Sequence, residues 1–287
     1  MLKKLVLNYL HPKVQTVQQF LDTNTKKLAQ AGISTPRLDC LVLLEHITGL
    51  DRASILAHPK KRLTSPQEDN LGELIKRRLH REPIAYLTNK KEFYGRNFYV
   101  DGSVLIPRPE SEAIIETLKE LVGSKQLTIV DVGTGSGALA ITVKLEFPNT
   151  RVIATDIDPK SLKIARKNAS FLGAEIHFEQ GDLMQPLLSS KGQASIVIAN
   201  LPYVSESDET SQETKYEPKI ALYAKENGLA LYKKLFKQIP SYLCKSGYLI
   251  IEANPLQHLS LIKLANNAGL EKVSVNGLCI AFKILDS

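Results

Sequence analysis

The residues best equipped for chemistry in this 287-residue chain are Asn200-Leu201-Pro202-Tyr203. They follow Ala194-Ser195-Ile196-Val197-Ile198, an apolar and β-branched run that reads as a buried strand. An asparagine at a strand's carboxyl end offers a carbonyl acceptor and an NH₂ donor on a rigid mount, and ligands collect at that edge of an open α/β sheet. Pro202 stiffens the turn, and Tyr203 brings a flat ring. Asn200 is no general base, because an amide takes no proton near neutrality; its chemistry is orientation. Asparagine before a proline and a tyrosine also makes an ordinary strand exit. What else reaches the same edge therefore decides its meaning.

Three further strand ends are predicted to arrive there. Leu127-Thr128-Ile129-Val130-Asp131-Val132 reads as a buried parallel strand running into Gly133-Thr134-Gly135-Ser136-Gly137, with a helix starting near Ala138. Glycines in a strand–turn–helix junction let the backbone approach a ligand where a Cβ would intrude. Their Gly-x-Gly-x-Gly spacing differs from the Gly-x-Gly-x-x-Gly that suits a pyrophosphate, which points to a smaller adenosyl ligand. A second strand, Arg151-Val152-Ile153-Ala154-Thr155-Asp156, ends in a carboxylate 23 residues beyond Gly133, suited to accept both ribose hydroxyls. Asp158, rather than Asp156, fits as the cap of the next helix. A third strand, Glu175-Ile176-His177-Phe178-Glu179-Gln180, leads to Gly181-Asp182-Leu183, where Asp182 is placed to accept from an adenine amine and the Leu183 N–H to meet a ring nitrogen.

The elements around these ends follow the same logic. Pro107 and Pro109 hold Arg108 in an extended segment, and Arg108 and Glu112 are expected near the bound ligand; a plain linker has the same look. The polar stretch 205–219 reads as a lid over the site. Residues 228–243 read as helix, 247–252 as a fifth strand and 257–268 as a last helix, and Asn276-Gly277 signals a closing hairpin.

The first part of the chain differs in character. Thr16 is expected to cap a helix that runs to Gly32, Ser34-Thr35-Pro36 to open a second, and Ser65-Pro66-Gln67-Glu68 to form a capping box for a third longer one. Ala85-Tyr86-Leu87, Glu92-Phe93-Tyr94 and Phe98-Tyr99-Val100 look strand-like, giving a β-hairpin linker. The expected division is a helical domain over 1–83, a linker over 84–105 and an α/β domain over 106–287. Residues 1–100 hold 17 Lys and Arg against 9 Asp and Glu, so the net charge of +7 comes wholly from the first third. A basic module beside a near-neutral one suits an acidic or polyanionic partner; solvated lysine-rich helices would read the same way.

No apolar run approaches the ~20 residues of a membrane span, and the start, Met1-Leu2-Lys3-Lys4-Leu5-Val6-Leu7, reaches Asn8 and Tyr9 without a small-residue cleavage site. Cys40, Cys244 and Cys279 lie far apart in apolar contexts, so no disulfide frame or metal site is expected. The protein is read as cytoplasmic.

Taken together, the chain resembles the HemK/PrmC family of class I S-adenosylmethionine-dependent methyltransferases. The likeness rests on Arg81-Glu82-Pro83-Ile84-Ala85-Tyr86-Leu87, Lys91-Glu92-Phe93-Tyr94-Gly95, Ile106-Pro107-Arg108-Pro109-Glu110, the turn from Asp131 to Gly137, Asn200 to Tyr203, and Glu217-Pro218 with Ala221-Leu222. It implies a Rossmann-like, mostly parallel seven-stranded sheet with a reversed last strand, and a small N-terminal helical bundle that grips the substrate. It also implies transfer of a methyl group from S-adenosylmethionine, leaving S-adenosylhomocysteine, to the side-chain amide nitrogen of the Gly-Gly-Gln glutamine in class I peptide-chain release factors. On this reading Asn200 and the Leu201 carbonyl hold the target amide, Tyr203 packs its plane and no metal takes part. A monomer without membrane or direct nucleic-acid contact is expected. Methylation of a ribosomal-protein glutamine, N6-adenine methylation and a catalytically silent docking module are the alternatives. Leu201 stands where the family usually has the first proline of Asn-Pro-Pro-Tyr, Glu252-Ala253-Asn254 replaces Glu-Ile-Gly, and the Asn276-Gly277-Leu278 turn lacks the usual charge.

Overall fold

The computed structural model describes residues 14–121, 127–190, 193–205 and 207–285, and it divides into two compact units meeting between Thr88 and Asn89. The first residues of the chain, read above for a leader, lie outside the described part.

The first unit is all-helical: α1 (Val17–Gln30), α2 (Pro36–Thr48), α3 (Arg52–Ala57), α4 (Ser65–Leu79) and α5 (Ile84–Thr88). Thr16 caps α1 in a full capping box with Gln19, as its sequence requires. The box on α4 sits one residue earlier than expected, with Thr64 and Gln67 as its two members. Glu68 instead accepts the backbone N–H of Gln15. Ala85-Tyr86-Leu87 is helix and not strand: Tyr86 and Leu87 are buried within α5, and the chain turns into that helix at Pro83. Phe20, Leu28, Leu43, Leu44 and Leu71 fill the core. Two of the basic residues at the end of α4 are structural. Arg78 is buried in an ion pair with Asp39 at 2.7 Å, and Arg81, in left-handed backbone, donates to the Ala31 carbonyl.

The second unit begins with a hairpin, β1 (Lys91–Phe93) and β2 (Arg96–Phe98), turned by Tyr94 and Gly95, both at positive φ. Tyr99 and Val100 lie beyond the strand, and Phe93 and Phe98 meet edge to face in the unit's core. The chain continues through α6 (Glu112–Leu121), β3 (Thr128–Val132), α7 (Ala138–Glu146), β4 (Arg151–Asp156), α8 (Pro159–Leu172), β5 (His177–Gln180) and β6 (Ala194–Ala199). It closes with α9 (Lys219–Leu222), α10 (Ala230–Gln238), β7 (Leu243–Glu252), α11 (His258–Asn267), β8 (Leu270–Asn276) and β9 (Cys279–Ile284). Leu243, expected in helix, opens β7, whose pairing with β6 is irregular before Tyr248 and regular after it.

The seven strands lie in the order β5-β4-β3-β6-β7-β9-β8. The first five are parallel, and β9 runs antiparallel to both its neighbours. Alternate residues of β3 and β6 enter different cores: Val130, Val132, Val197 and Ala199 pack with α10 and α11, while Ile129, Ile196 and Ile198 pack with α6 and α7. This two-sided burial explains why those strands carry unbroken apolar runs. From β3 the chain builds outward through β4 and β5, then returns to lay β6 on the other side of β3. That reversal opens a crevice at the strands' carboxyl ends. The glycine turn after β3 and Asn200 after β6 stand on its two sides.

Candidate active site

A cavity of about 200 Å³ lies at this crevice. Gly133, Thr134, Gly135 and Ser136 form one wall, Asp156, Asp182 and Leu183 another, and Arg108, Asn200, Leu201 and Pro202 a third. Gly133 has φ +73°, and a Cβ there would come within 2.9 Å of Leu201 Cδ2. Gly135 has φ +54° with no protein atom within 4 Å of such a Cβ, so what it faces is the cavity. Gly137 is different: it does not line the cavity, and a Cβ there would strike Ile141 and Ala165, so its task is close packing of α7 on α8.

The turn is held from below and from the side. Gly133 and Thr134 both donate their N–H to the Thr155 carbonyl at 2.9 Å. The Thr134 hydroxyl and the Ala140 N–H donate to Asp131, which is wholly buried, and burial raises its pKa to about 7. Asp156 accepts from the Gly135 N–H at 2.8 Å and the Asp158 N–H at 2.9 Å, and burial also moves its carboxyl upward. Asp158 caps α8 through the Lys160 N–H, the role its sequence assigned to it. Asp182 lines the cavity but is ion-paired with Lys234 of α10, 52 residues further along the chain. Leu183 stands beside it in left-handed backbone.

Beyond Asn200 a second cavity of about 220 Å³ opens, bounded by Tyr203, Glu252 and the hydroxyl-bearing Thr210, Ser211 and Thr214. Asn200, Leu201, Pro202 and Arg108 line both cavities. Tyr203 faces only the second, where its hydroxyl donates to Glu252 at 3.0 Å. Burial and the neighbouring Glu252 charge raise the Tyr203 pKa, so the phenol stays protonated. The turn behind it is tight: a Cβ at Gly228 would overlap the Tyr203 carbonyl, which also accepts from Gln257 Nε2 at 2.8 Å.

Arg108 is fixed by Glu217, at 2.6 Å, and Glu217 also accepts the Ile106 N–H. The far end of the polar stretch 205–219 is thus tied to the proline-flanked segment. Glu112 lies away from both cavities; its carboxylate accepts the Tyr94 N–H and anchors the hairpin. Three residues to which the sequence reading assigned no role complete the site. Ser111 accepts from Asn200 Nδ2 at 2.8 Å, the Tyr232 hydroxyl accepts the Leu201 N–H at 3.2 Å and donates to the Glu252 carbonyl, and Glu252 ends β7 beside them. The signal for Glu252 was available, since it is an acid at a strand's carboxyl end, the same argument that found Asp156.

A parallel sheet with one reversed strand, a glycine turn at its reversal point and a strand-end acid beside that turn define a class I methyltransferase. The glycine cradle and the Asp156 and Asp182 carboxylates fit an adenosyl sulfonium. Residues 123–273 match the methyltransferase domain family and residues 19–88 the PrmC N-terminal domain family. Among solved structures, the T. thermophilus 16S rRNA N2 G1207 methyltransferase (RsmC) in complex with AdoMet and guanosine superposes with a TM-score of 0.52 at 15% identity. It covers 69% of this chain and 50% of that one, a likeness of fold. Release factor glutamine methyltransferases are closer in sequence. That of Koribacter versatilis is 38% identical over 83% of this chain and 86% of its own, and that of Enterococcus faecalis 39% over 78% and 81%. That of Deinococcus radiodurans is 33% identical over 88% and 91%. The chain belongs to the release factor glutamine methyltransferase family and is an S-adenosylmethionine-dependent enzyme.

Proposed function

We propose that this protein transfers the methyl group of S-adenosylmethionine to the side-chain amide nitrogen of the Gly-Gly-Gln glutamine in class I peptide-chain release factors, releasing S-adenosylhomocysteine. The observation that carries the reading is that Asn200 lies on both cavities, between the glycine turn on one side and the second cavity on the other. The bound cofactor supplies an electrophilic methyl group on a sulfonium.

An amide nitrogen is a weak nucleophile because its lone pair is delocalised, so the protein's contribution is alignment. Asn200 Oδ1 and the Leu201 carbonyl each accept one N–H of the glutamine amide, which points its nitrogen toward the first cavity. Among the described residues nothing donates to the Leu201 carbonyl, so that acceptor is available. Alignment of this kind is worth up to roughly 7–11 kcal/mol in favourable cases. Arg108, lining both cavities, stays fixed by Glu217 while they fill. The extra proton passes to water after transfer. The enzyme acts as a cytoplasmic monomer on this reading.

The test is to offer the protein and labelled S-adenosylmethionine three acceptors: a release factor, its Gln-to-Ala variant and DNA. Label should enter only the first. Label on DNA would favour an adenine amine as acceptor, and label on the Gln-to-Ala variant would reject the glutamine. Asn200→Ala should slow transfer to the release factor by at least about tenfold, since a substrate N–H is left unpaired.

A further inference from the structure

An asparagine accepts from a substrate amide only if its oxygen, and not its nitrogen, faces the cavity. Asn200 cannot settle this by itself, because the two ends of its amide have the same shape. Ser111 cannot settle it either. It sits 2.8 Å from Asn200 Nδ2, but a hydroxyl both donates and accepts and would serve either orientation.

The group that can settle it is Glu252. The parallel register places Ala199 beside Ile251, so the ends of β6 and β7 emerge as neighbours. Glu252 is 1% exposed. One of its oxygens accepts the Tyr203 hydroxyl at 3.0 Å, and Oε2 is buried with no hydrogen bond of its own. Burial raises its pKa, and the nearby Ser111 hydroxyl and Asn200 amide work against that rise, so both donors lie within its influence. Among the described residues the Ser111 hydroxyl proton has no acceptor and Glu252 Oε2 no donor, so a spare donor and a spare acceptor stand on either side of Asn200's support. An ionised carboxylate accepts only.

We propose that Glu252 is the positioning residue that orients Asn200: it draws the Ser111 hydroxyl proton to itself, leaves the Ser111 lone pairs to Asn200 Nδ2, and so turns Asn200 Oδ1 toward the substrate amide. Tyr203 completes the device by donating from the other side, so that both neighbouring hydroxyls spend their protons on the carboxylate. Glu252 touches neither reacting atom. Its effect reaches Asn200 through Ser111 and through the carboxylate's own pull on the Asn200 N–H.

The inference rests on the assignment of Asn200 to the substrate amide, and wild-type transfer to the release factor tests that assignment separately. Glu252→Gln preserves shape but adds a donor, which lets Ser111 accept from position 252 and donate to an inverted Asn200 amide. Its kcat should fall about tenfold or more, while the Kd for S-adenosylmethionine by calorimetry stays within about twofold. Ser111→Ala should lose a similar factor, Ser111→Thr should retain most of the rate, and the Glu252→Gln, Ser111→Ala pair together should be no slower than the worse single change. Wild-type kcat in Glu252→Gln would overturn the proposal. So would a Ser111→Thr enzyme as slow as Ser111→Ala, or a cofactor affinity that falls in step with the rate. If Glu252→Gln fails to fold by circular dichroism, the two Ser111 variants decide alone.

Discussion

Asp156 and Gly135 are joined by a 2.8 Å hydrogen bond from the Gly135 amide to the Asp156 carboxylate, so the acid at the end of β4 fastens the turn that follows β3. The Asp158 N–H donates to its other oxygen, so backbone holds the carboxylate at both oxygens. Asp156 also lines the cavity, and we propose that its carboxylate meets the ribose hydroxyls there.

Asp156→Ala is therefore expected to remove a ligand contact and to loosen the glycine turn together. Hydrogen bonds to a charged group are worth about 1.5–3 kcal/mol, which predicts a loss of S-adenosylmethionine affinity of about tenfold to a hundredfold and a lower thermal midpoint. Calorimetry of the variant measures the first and a melting curve the second. Unchanged affinity would take Asp156 off the ribose.

How much of this was legible depends on the range of the information. Helix caps and strand ends are local, and Thr16, Asp158, Gly133 and Asp156 were readable from their immediate neighbours. The box on α4 slipped by one residue because Thr64 and Ser65 are both good caps, and Gln67 and Glu68 both good third residues. Ala85-Tyr86-Leu87 reads as strand by residue type, yet burial of Tyr86 and Leu87 makes it helix, a tertiary effect invisible in a three-residue window. The support of Asn200 was out of reach for a different reason. Ser111 lies 89 residues before it, and Glu252 becomes its neighbour only because β7 pairs with β6.

Leu201 is more than a stand-in for the family's proline. Its N–H donates to the Tyr232 hydroxyl at 3.2 Å, and its side chain is buried against Gly133. Proline has no N–H, so Leu201→Pro should forfeit that bond and the apolar contact. A stability loss of about 1–2 kcal/mol is expected in urea unfolding. The carbonyl survives the change, and kcat should stay within about threefold of wild type. A stable but inactive variant would show that the leucine side chain, not only the carbonyl, takes part.

Arg108 and Glu217 form a lopsided pair, with side chains 36% and 1% exposed. Arg108→Ala strands the Glu217 charge with only the Ile106 N–H at 3.2 Å. Breaking a fully buried pair costs about 3–5 kcal/mol; solvent around the arginine lowers the expectation here to about 1–2 kcal/mol. Adding Glu217→Gln removes the stranded charge while keeping an acceptor for Ile106. The double variant should then be more stable than Arg108→Ala alone by urea unfolding. If the two changes simply add, the charge on Glu217 is not what destabilises the single variant.

Asp131 gives the fold a pH dependence of unusual sign. Burial raises its pKa from 3.8 to about 7, with Asp156 adding to the rise and the Thr134 and Ala140 hydrogen bonds opposing it. Between those two values the folded protein holds a proton that the unfolded chain has released. Stability therefore falls as pH climbs through this window, by up to about 1.4 kcal/mol per pH unit from this group, and levels off above about 7. Asp131→Asn removes the titration and keeps an oxygen for Thr134 and Ala140. Unfolding free energies of both proteins at pH 5, 6, 7 and 8 isolate the effect from all other carboxylates. The variant should gain on wild type steadily from pH 5 to 7 and no further at 8, whereas a constant difference would mean that Asp131 is ionised throughout.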